Sequence, residues 1–230
     1  MPIKLDDVIE EHAEEAAFLW QQRDAAVHAP DFDLTELDAA DERLEAHLDG
    51  LRIGGEKSWE ICNELGWELA GEYFTAMSIA IRLGSQEKVD EVLAAAEGDS
   101  EATQGVISAL GWVEPRLLRG LVKNLLLSKS AYQTMIGIGA CAVHRANPGR
   151  HLEKALQSED VLQLPRALKA AGELGAVSSL PLVQKYLEHA DDACRFQAAR
   201  SAVLLGDRSA VKLLSLFALT DNIFRRKAMD

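Results

Sequence analysis

A short motif that recurs about every thirty residues constrains the fold of this chain more than any other feature. Five turns, each after a helix-like run of small residues, end at Gly84, Gly111, Arg145, Gly175 and Gly206. Four end on glycine, which readily adopts the left-handed conformation that terminates helices. A period of about thirty residues is typical of stacked helical hairpins, which form extended binding surfaces.

The last two copies keep the same apolar pattern, with the constant offset that separates Gly175 from Gly206. In each copy a first helix ends at the glycine and a second helix follows at once, with Pro181 near the start of one of them, where a missing amide hydrogen costs nothing. The matching apolar positions are Ala171 and Leu174 with Ala202 and Leu205, then Leu180, Val183 and Leu187 with Val211, Leu214 and Ala218.

This pattern resembles the short HEAT-like repeats first associated with phycobilin lyases, over residues 72–230. The resemblance implies an α-solenoid, and by itself it implies no activity. HEAT-like hydroxylases that hold two irons use paired His-Glu dipeptides, and no copy here contains one. That enzyme class is therefore disfavoured.

The N-terminal segment, residues 1–70, does not follow the repeat and instead predicts two longer helices. The first has the apolar stripe Ile9, Ala13, Ala16, Trp20 and Val27. Asp33 or Thr35 can cap the second helix, which Gly54 and Gly55 end and whose stripe is Leu37, Leu44, Leu48 and Leu51. We therefore predict an all-α chain, in which residues 1–55 form a helical hairpin that caps the open end of an α-solenoid of about five HEAT-like hairpins over residues 56–230.

The charge is divided unequally along the chain. Residues 1–114 contain 27 Asp and Glu and 7 Lys and Arg, whereas residues 115–230 contain 10 and 17. The acidic half should repel nucleic acid and anionic lipid and attract a basic protein. The alternative is that its acidic helices only keep the protein dispersed.

Other compositional features argue for a cytoplasmic protein. No apolar run approaches the roughly 18 residues of a membrane span, and acidic residues stand near the N-terminus where a signal peptide needs Lys or Arg. Cys62, Cys141 and Cys194 are odd in number and widely spaced, which favours buried reduced thiols over disulfides or zinc.

The runs 9–20 and 41–52, IEEHAEEAAFLW and DERLEAHLDGLR, are similar to the opening of an uncharacterised family of bacterial HEAT-like proteins. Members are often encoded near type VI secretion genes. The resemblance implies a setting of secreted toxins, spike proteins and immunity proteins, and it brings no catalytic residues.

Five glutamates recur at intervals of four: Glu56, Glu60, Glu64, Glu68 and Glu72. Like charges at this spacing destabilise a single helix by roughly 0.2–0.5 kcal/mol per pair, which a basic partner would offset. Trp59 and Trp67 are predicted on the same helix, either in an interface or packed inward. We therefore predict Glu60, Glu64 and Glu68 as partner-binding residues, with the second helices around Asp90, Glu91 and Trp112 as a further candidate surface.

The sequence offers no credible active site. His12 and Glu15 share one helical face, but one such pair does not make a di-iron site, and solvated surface explains it better. The other histidines have no cysteine at ligand spacing, and Ser128 to Ser130 lack a glycine-rich loop. We expect no catalytic residue, no metal and no cofactor.

Two classes of function remain open from the sequence. The favoured class is a non-enzymatic protein-binding module: an immunity protein that neutralises a basic, nuclease-like type VI effector, or a scaffold or adaptor of the secretion machinery. The other class is a HEAT-like enzyme, a chromophore lyase or a DNA glycosylase. A glycosylase needs a basic concave face, and the front half has the opposite charge.

Overall fold

The computed structural model describes residues 5–27, 29, 32–160, 162–220 and 224. Over these residues the chain is all-helical, with thirteen α helices, two short 3-10 turns and no strand, which confirms the predicted all-α class. None of the described helices is both long and apolar enough to cross a membrane. The α helices are α1 (Leu5–Ala26), α2 (Leu34–Gly54), α3 (Glu56–Leu65), α4 (Ala70–Arg82), α5 (Gln86–Ala96), α6 (Ser100–Trp112), α7 (Leu121–Leu127), α8 (Ala131–Val143), α9 (Arg150–Ala155), α10 (Gln163–Glu173), α11 (Leu180–Gln184), α12 (Asp192–Leu204) and α13 (Val211–Leu219).

The helices form two compact units, unit 1 (residues 1–121) and unit 2 (residues 122–230). Unit 1 contains 27 Asp and Glu and nine Lys and Arg, a net charge of -18, and unit 2 contains 10 and 15, a net charge of +5. The charge asymmetry of the sequence therefore coincides with the division into units. Unit 1 includes the predicted N-terminal hairpin. The boundary at residue 55, between this hairpin and the HEAT-like hairpins, stays a prediction.

The N-terminal hairpin consists of α1 and α2, which pack against each other. Asp33 caps α2, because its carboxylate accepts hydrogen bonds from the backbone amides of Thr35 and Glu36 at 2.8 and 2.9 Å. The helix ends at Gly54, as the sequence predicts. The apolar stripes of both helices are buried except at two positions: Leu37 is half-buried, and Val27, which follows the end of α1, is exposed.

Helices α1, α4 and α6 of unit 1 lie side by side and approach closely at two glycines. A Cβ atom on Gly71 of α4 would lie 2.2 Å from the carbonyl oxygen of Ala17 in α1. A Cβ atom on Gly105 of α6 would lie 2.1 Å from the carbonyl oxygen of Ala70 in α4. Glycine is therefore required at both crossings, because any side chain would push the backbones apart.

An aromatic cluster fills the space beside these crossings. The ring of Phe74, which is fully buried, is stacked on Trp20 at 5.3 Å between centroids and meets Trp112 edge to face at 5.7 Å. The indole nitrogen of Trp20 donates a hydrogen bond to Ser108 Oγ at 2.8 Å. The cluster joins α1, α4 and α6 into one core.

Unit 2 reproduces the constant offset between the last two copies that the sequence predicts. The first helices end at Glu173 and Leu204, and both are followed by 3-10 turns, Val177–Ser179 and Arg208–Ala210, that lead directly into α11 and α13. The first helices of successive hairpins also pack side by side, α8 against α10 and α10 against α12. The repeat in the sequence is therefore a repeat of local structure.

Four of the five predicted turns adopt one common conformation. At each turn the last residue has a positive φ: Gly84 at 68°, Arg145 at 52°, Gly175 at 62° and Gly206 at 103°. The amide of the next residue bonds to the carbonyl five positions back in every case, as in a Schellman motif. Arg145 thus takes the place of glycine in the copy that lacks one.

The turn predicted at Gly111 is wrong. Helix α6 continues through Gly111 to Trp112, and the chain leaves the helix in an extended conformation at Val113. Val113 is buried, so the burial of this residue sets the direction in which the chain leaves the helix. A glycine permits a left-handed turn but does not impose one.

We predict that Arg145→Gly raises the free energy of unfolding by about 0.5–1 kcal/mol. A non-glycine residue in the left-handed region costs roughly 1–2 kcal/mol, and the greater freedom of the unfolded glycine chain offsets part of the gain. Arg145 is exposed, so the substitution removes little packing. Urea denaturation followed by circular dichroism measures the change. Gly175→Ala, at a similar φ, should have the opposite sign, and a destabilised Arg145→Gly would contradict the prediction.

Candidate functional site

A groove on unit 1, with a cavity of about 380 Å³, is the best candidate for a binding site. It lies between α1 and the segment that joins α3 to α4. Small buried residues form its floor: Ala13, Ala17, Cys62 and Thr75. Burial raises the pKa of the Cys62 thiol to about 12, so the thiol stays protonated and adds no charge to the floor.

Large apolar side chains form the walls of the groove. Phe18, Leu65 and Leu69 line the cavity, and each exposes about half of its surface, at 52 %, 45 % and 51 %. Such side chains are common singly on protein surfaces, but a contiguous exposed group around a concave site is typical of an interaction surface.

The segment between α3 and α4 is held in a fixed conformation. Gly66 ends α3 with a φ of 81°, and the indole of Trp67 donates a hydrogen bond back to the carbonyl of Cys62 at 3.1 Å. The carboxylate of Glu72 accepts hydrogen bonds from the backbone amides of Glu68 and Leu69. The groove is therefore formed before any ligand binds, which lowers the entropic cost of binding.

The two segments that line the groove are strongly acidic. Residues 5–27 and 56–72, which supply almost all of its lining, contain twelve Asp and Glu and only two Lys and Arg. Both cations are paired: Arg23 bonds to Asp41 at 2.8 Å and Lys57 to Glu60 at 3.2 Å. Even with Lys88 of α5, which bonds to Glu56 at 3.0 Å, these two segments carry a large excess of carboxylates.

The five glutamates do not lie on one helix. Glu56, Glu60 and Glu64 lie on α3, Glu68 lies in the following segment and Glu72 lies in the first turn of α4. The prediction that the series and the two tryptophans share one helix is therefore wrong, because α3 ends at Leu65. Glu60, Glu64 and Glu68 are all exposed; Glu64 lies at the end of α3, and Glu68 lies within the segment that forms one wall of the groove.

Both tryptophans of this region pack within unit 1. Trp59 is buried, and its ring lies 5.7 Å from that of Trp67, which in turn lies 6.0 Å from Tyr73. Lys88 of α5 places its ammonium over the Trp59 ring and bonds to Glu56 at 3.0 Å. The inward packing that the sequence left open thus holds for Trp59, whereas Trp67 is half-buried and also lines the groove.

Asp90 and Glu91 lie next to each other on α5, and both are exposed. Asp90 accepts a hydrogen bond from Gln86 at 2.8 Å. Neither residue lines the groove. Their role in partner binding stays a prediction.

Trp112, the last residue of α6, is half-buried and engaged on three sides. Its indole nitrogen donates a hydrogen bond to Glu45 at 2.6 Å, and the Arg23 guanidinium lies 5.7 Å above its ring. The third contact is the edge-to-face contact with Phe74. These contacts give Trp112 a structural role in the core of unit 1, and its predicted role in binding a partner remains untested.

A histidine pair joins the two helices of the N-terminal hairpin. The Nδ1 atoms of His12 and His47 lie 3.1 Å apart. Burial, and secondarily the charge of His12, lower the pKa of His47, with Arg43 acting in the same direction and Glu15 and Glu11 in the opposite one. The sequence had paired His12 with Glu15 on one helix, whereas its nearest ring partner comes from α2.

We predict that the free energy of unfolding falls as the pH drops below about 6.5, the ordinary pKa of histidine. Because the folded state lowers the pKa of His47, it favours the neutral ring; the stabilisation is present above that pH and is lost as the pH falls through the folded pKa. His47→Gln should reduce the slope of stability against pH between pH 5 and 7, measured by urea denaturation. His12→Gln removes only the secondary cause and should reduce the slope less. An equal slope in wild type and His47→Gln would contradict the prediction.

Among the described residues, one group of three side chains could hold a metal ion: His189, Asp191 and Cys194, with ligand atoms within 4.8 Å. Local hydrogen bonds already explain this arrangement. Asp191 caps α12 by accepting from the Cys194 amide at 2.8 Å, and its own amide donates to His189 Nδ1 at 3.1 Å. Burial, together with hydrogen bonding to Asp191, raises the pKa of the Cys194 thiol to about 12. Arg195, bonded to the His189 carbonyl at 2.7 Å, brings a positive charge close by that disfavours a cation.

Sequence reasoning missed the groove, although two signals pointed toward it. Phe18 stands off the apolar stripe of α1, one helical turn after Glu14 and Glu15, where a large apolar side chain has no packing role within the helix pair. Gly66 interrupts the glutamate series, and glycine inside a helical pattern commonly marks its end. Comparison with protein-family models and with curated protein sequences gives no match for this chain.

Proposed function

We propose that this chain is a non-enzymatic protein-binding module whose acidic unit 1 docks a basic protein. The observation that carries the proposal is the preformed apolar groove of unit 1, lined by segments with a large excess of carboxylates. Apolar contacts supply most of the affinity of such an interface, whereas complementary charge mainly raises the rate of association and selects the partner.

The architecture that we propose for this module is an α-solenoid of HEAT-like hairpins with the N-terminal hairpin as its cap. The support is local: the common Schellman turns, the constant offset between the last two hairpins of unit 2 and the side-by-side packing of successive first helices. An array of this kind offers a long surface to a protein partner.

The specific role that we propose is immunity, the neutralisation of a basic, nuclease-like toxin of a type VI secretion system. The resemblance of residues 9–20 and 41–52 motivates this role, and the charge of unit 1 suits it, because a nuclease must carry positive charge toward nucleic acid. Steering by an acidic field raises association rates by roughly 10- to 1,000-fold, which favours capture of a toxin before it acts. Co-expression with the toxin separates this role from that of a scaffold, since only an immunity protein restores growth.

Charge reversal at Glu60, Glu64 and Glu68 to lysine tests the proposal. All three are exposed, and exposed substitutions usually change stability by within about 0.5 kcal/mol each, so the fold should persist. With a partner first identified by co-purification from the native host and then produced alone, we expect the association rate to fall about tenfold at low salt. The difference should shrink between about 0.1 M and about 1 M salt, as the Debye length falls from about 10 Å to about 3 Å.

A matched control keeps the change in net charge but moves it to unit 2. Glu153, Glu159 and Glu188 are exposed there, and their substitution by lysine should leave the association rate close to that of wild type. Equal rates and equal salt slopes for the unit 1 variant and wild type would contradict the proposal. Equal losses in both variants would assign the effect to net charge alone.

A further inference from the structure

The groove of unit 1 combines three properties that together define the ligand it suits. Its floor consists of small residues, its walls are large apolar side chains and its surroundings are acidic. Ligand sites of roughly 300–1,000 Å³ bury apolar groups and use a few polar groups for orientation. The cavity of about 380 Å³ falls within this range.

We propose that this groove takes a large apolar side chain, aromatic or leucine, from a partner segment in which Lys or Arg flank that side chain. The inference rests on the proposed function and deepens it, because it names the part of the surface that supplies affinity and the chemistry of the segment that binds there.

The apolar part of the proposal follows from the floor of the groove. Ala13 and Ala17 of α1 are buried beneath it, and neither side chain is large enough to fill the space between Phe18 and Leu69. A partner side chain placed there would gain contact with both walls and remove their exposed carbon atoms from water. Because burial of large apolar side chains is strongly favourable in transfer data, we expect the walls to change the affinity at least about tenfold.

The basic flanks follow from the position of the carboxylates. Glu14 and Glu72 line the cavity itself, Glu64 lies at the end of α3, and Glu68 lies within the wall segment. Glu72 is engaged by the backbone amides of its own cap, which leaves the exposed Glu14, Glu64 and Glu68 as the acceptors for a partner's cations. Lys or Arg on both sides of the apolar side chain would meet carboxylates from α1 on one side and from α3 and its following segment on the other.

The hydrogen bonds of the wall segment make the groove a defined binding site. Trp67 and Glu72 fix residues 66–69 from two directions, so a ligand does not have to order this segment when it binds. Trp67 also lines the cavity, which makes its indole a reporter of what enters.

Three synthetic peptides with one dye label test the proposal. The first has a central Leu-Phe pair flanked by lysines, the second replaces this pair by serines, and the third keeps the pair and replaces the lysines by glutamates. Fluorescence anisotropy measures binding of each to the full chain at fixed salt. We expect the first peptide to bind at least about tenfold more tightly than the second, and the third not to bind measurably.

The double variant Phe18→Ser, Leu69→Ser removes two of the three half-exposed side chains that form the walls. Because both side chains are half-exposed, the double variant should retain its helical circular dichroism, and it should bind the first peptide about tenfold more weakly than wild type. Ile53→Ser is the matched control, since Ile53 is 79 % exposed on α2 and does not line the groove. A second measurement needs no protein variant: the first peptide should change the tryptophan emission of wild type, and the second peptide should leave it nearly unchanged.

The outcomes separate the groove from the broader function. In one outcome, the first two peptides bind equally and lose affinity only when Glu60, Glu64 and Glu68 are replaced by lysine. This result would overturn the groove as the binding site and leave the proposed acidic docking surface intact. Equal binding of the first and third peptides would contradict both. Tight binding of the first peptide without a change in tryptophan emission would also overturn the proposed site.

Discussion

Gly105→Ala is expected to lower the free energy of unfolding by about 3 kcal/mol, at the upper end of what overpacking usually costs. The added Cβ would lie 2.1 Å from the carbonyl oxygen of Ala70 and 3.2 Å from the amide nitrogen of Phe74. Both are backbone atoms, so no side-chain rotation relieves the clash, and α4 and α6 must move apart. Urea denaturation followed by circular dichroism measures the loss.

The control for this prediction lies further along the same helix. Gly111 is exposed near the end of α6, and alanine is the better helix former, so Gly111→Ala should leave stability unchanged or raise it by up to about 1 kcal/mol. Gly71→Ala, which places a Cβ 2.2 Å from the carbonyl oxygen of Ala17, should behave like Gly105→Ala. A midpoint for Gly105→Ala equal to that of wild type would show that α6 is not packed as closely on α4 as described.

Phe74→Ala should destabilise the protein by about 4 kcal/mol, because it removes a fully buried ring and leaves a cavity between Trp20 and Trp112. The loss should appear in two measurements, the urea midpoint and the near-ultraviolet circular dichroism of the tryptophans. A loss below about 1 kcal/mol would contradict the description of this aromatic core.

Phe18→Ala is the matched control for Phe74→Ala. The Phe18 side chain is half-exposed in the groove and makes no contact with the aromatic cluster that the ring distances describe. Its substitution should change stability by less than about 1 kcal/mol. Comparison of Phe74→Ala with Phe18→Ala thus distinguishes a phenylalanine of the core from one that is available to a partner.

The groove and the core of unit 1 both use α1, so a change in the core can alter the groove. In α1, Ala13 and Ala17 are floor residues of the groove, while Ala17 also contacts Gly71 at the crossing with α4. A change at that crossing would therefore shift the floor of the proposed binding site. For this reason the wall residues Phe18 and Leu69, and not the floor residues, are the ones to vary in binding experiments.

The sequence by itself determined the features that depend on local chemistry. The alternation of apolar and polar residues at helical spacing sets the helices, Asp33 supplies the side-chain oxygen that caps α2, and the constant offset between the last two copies fixes where α11 and α13 begin. These features involve residues within a few positions of one another, and one sequence is enough to predict them.

Only the tertiary structure decided which residues adopt the left-handed backbone conformation at the ends of the helices. Gly111 stays helical because the buried Val113 takes the chain out of α6 in an extended conformation, whereas Arg145 adopts the left-handed conformation that glycine usually occupies. At Gly111 packing outweighs a local preference worth about 1 kcal/mol, whereas at Arg145 the backbone hydrogen bonds of the turn hold a conformation that costs roughly 1–2 kcal/mol.

Tertiary structure also decided where the glutamates lie and where the groove forms. A spacing of four suits one helix, but Gly66 ends α3, and the hydrogen bond from Trp67 to the Cys62 carbonyl helps to hold the non-helical segment that contains Glu68. The groove itself unites Phe18 with Leu65 and Leu69, which lie more than forty residues further along the chain. Such a site depends on how α1 packs against α3 and α4, and helical periodicity within one segment carries no information about that packing.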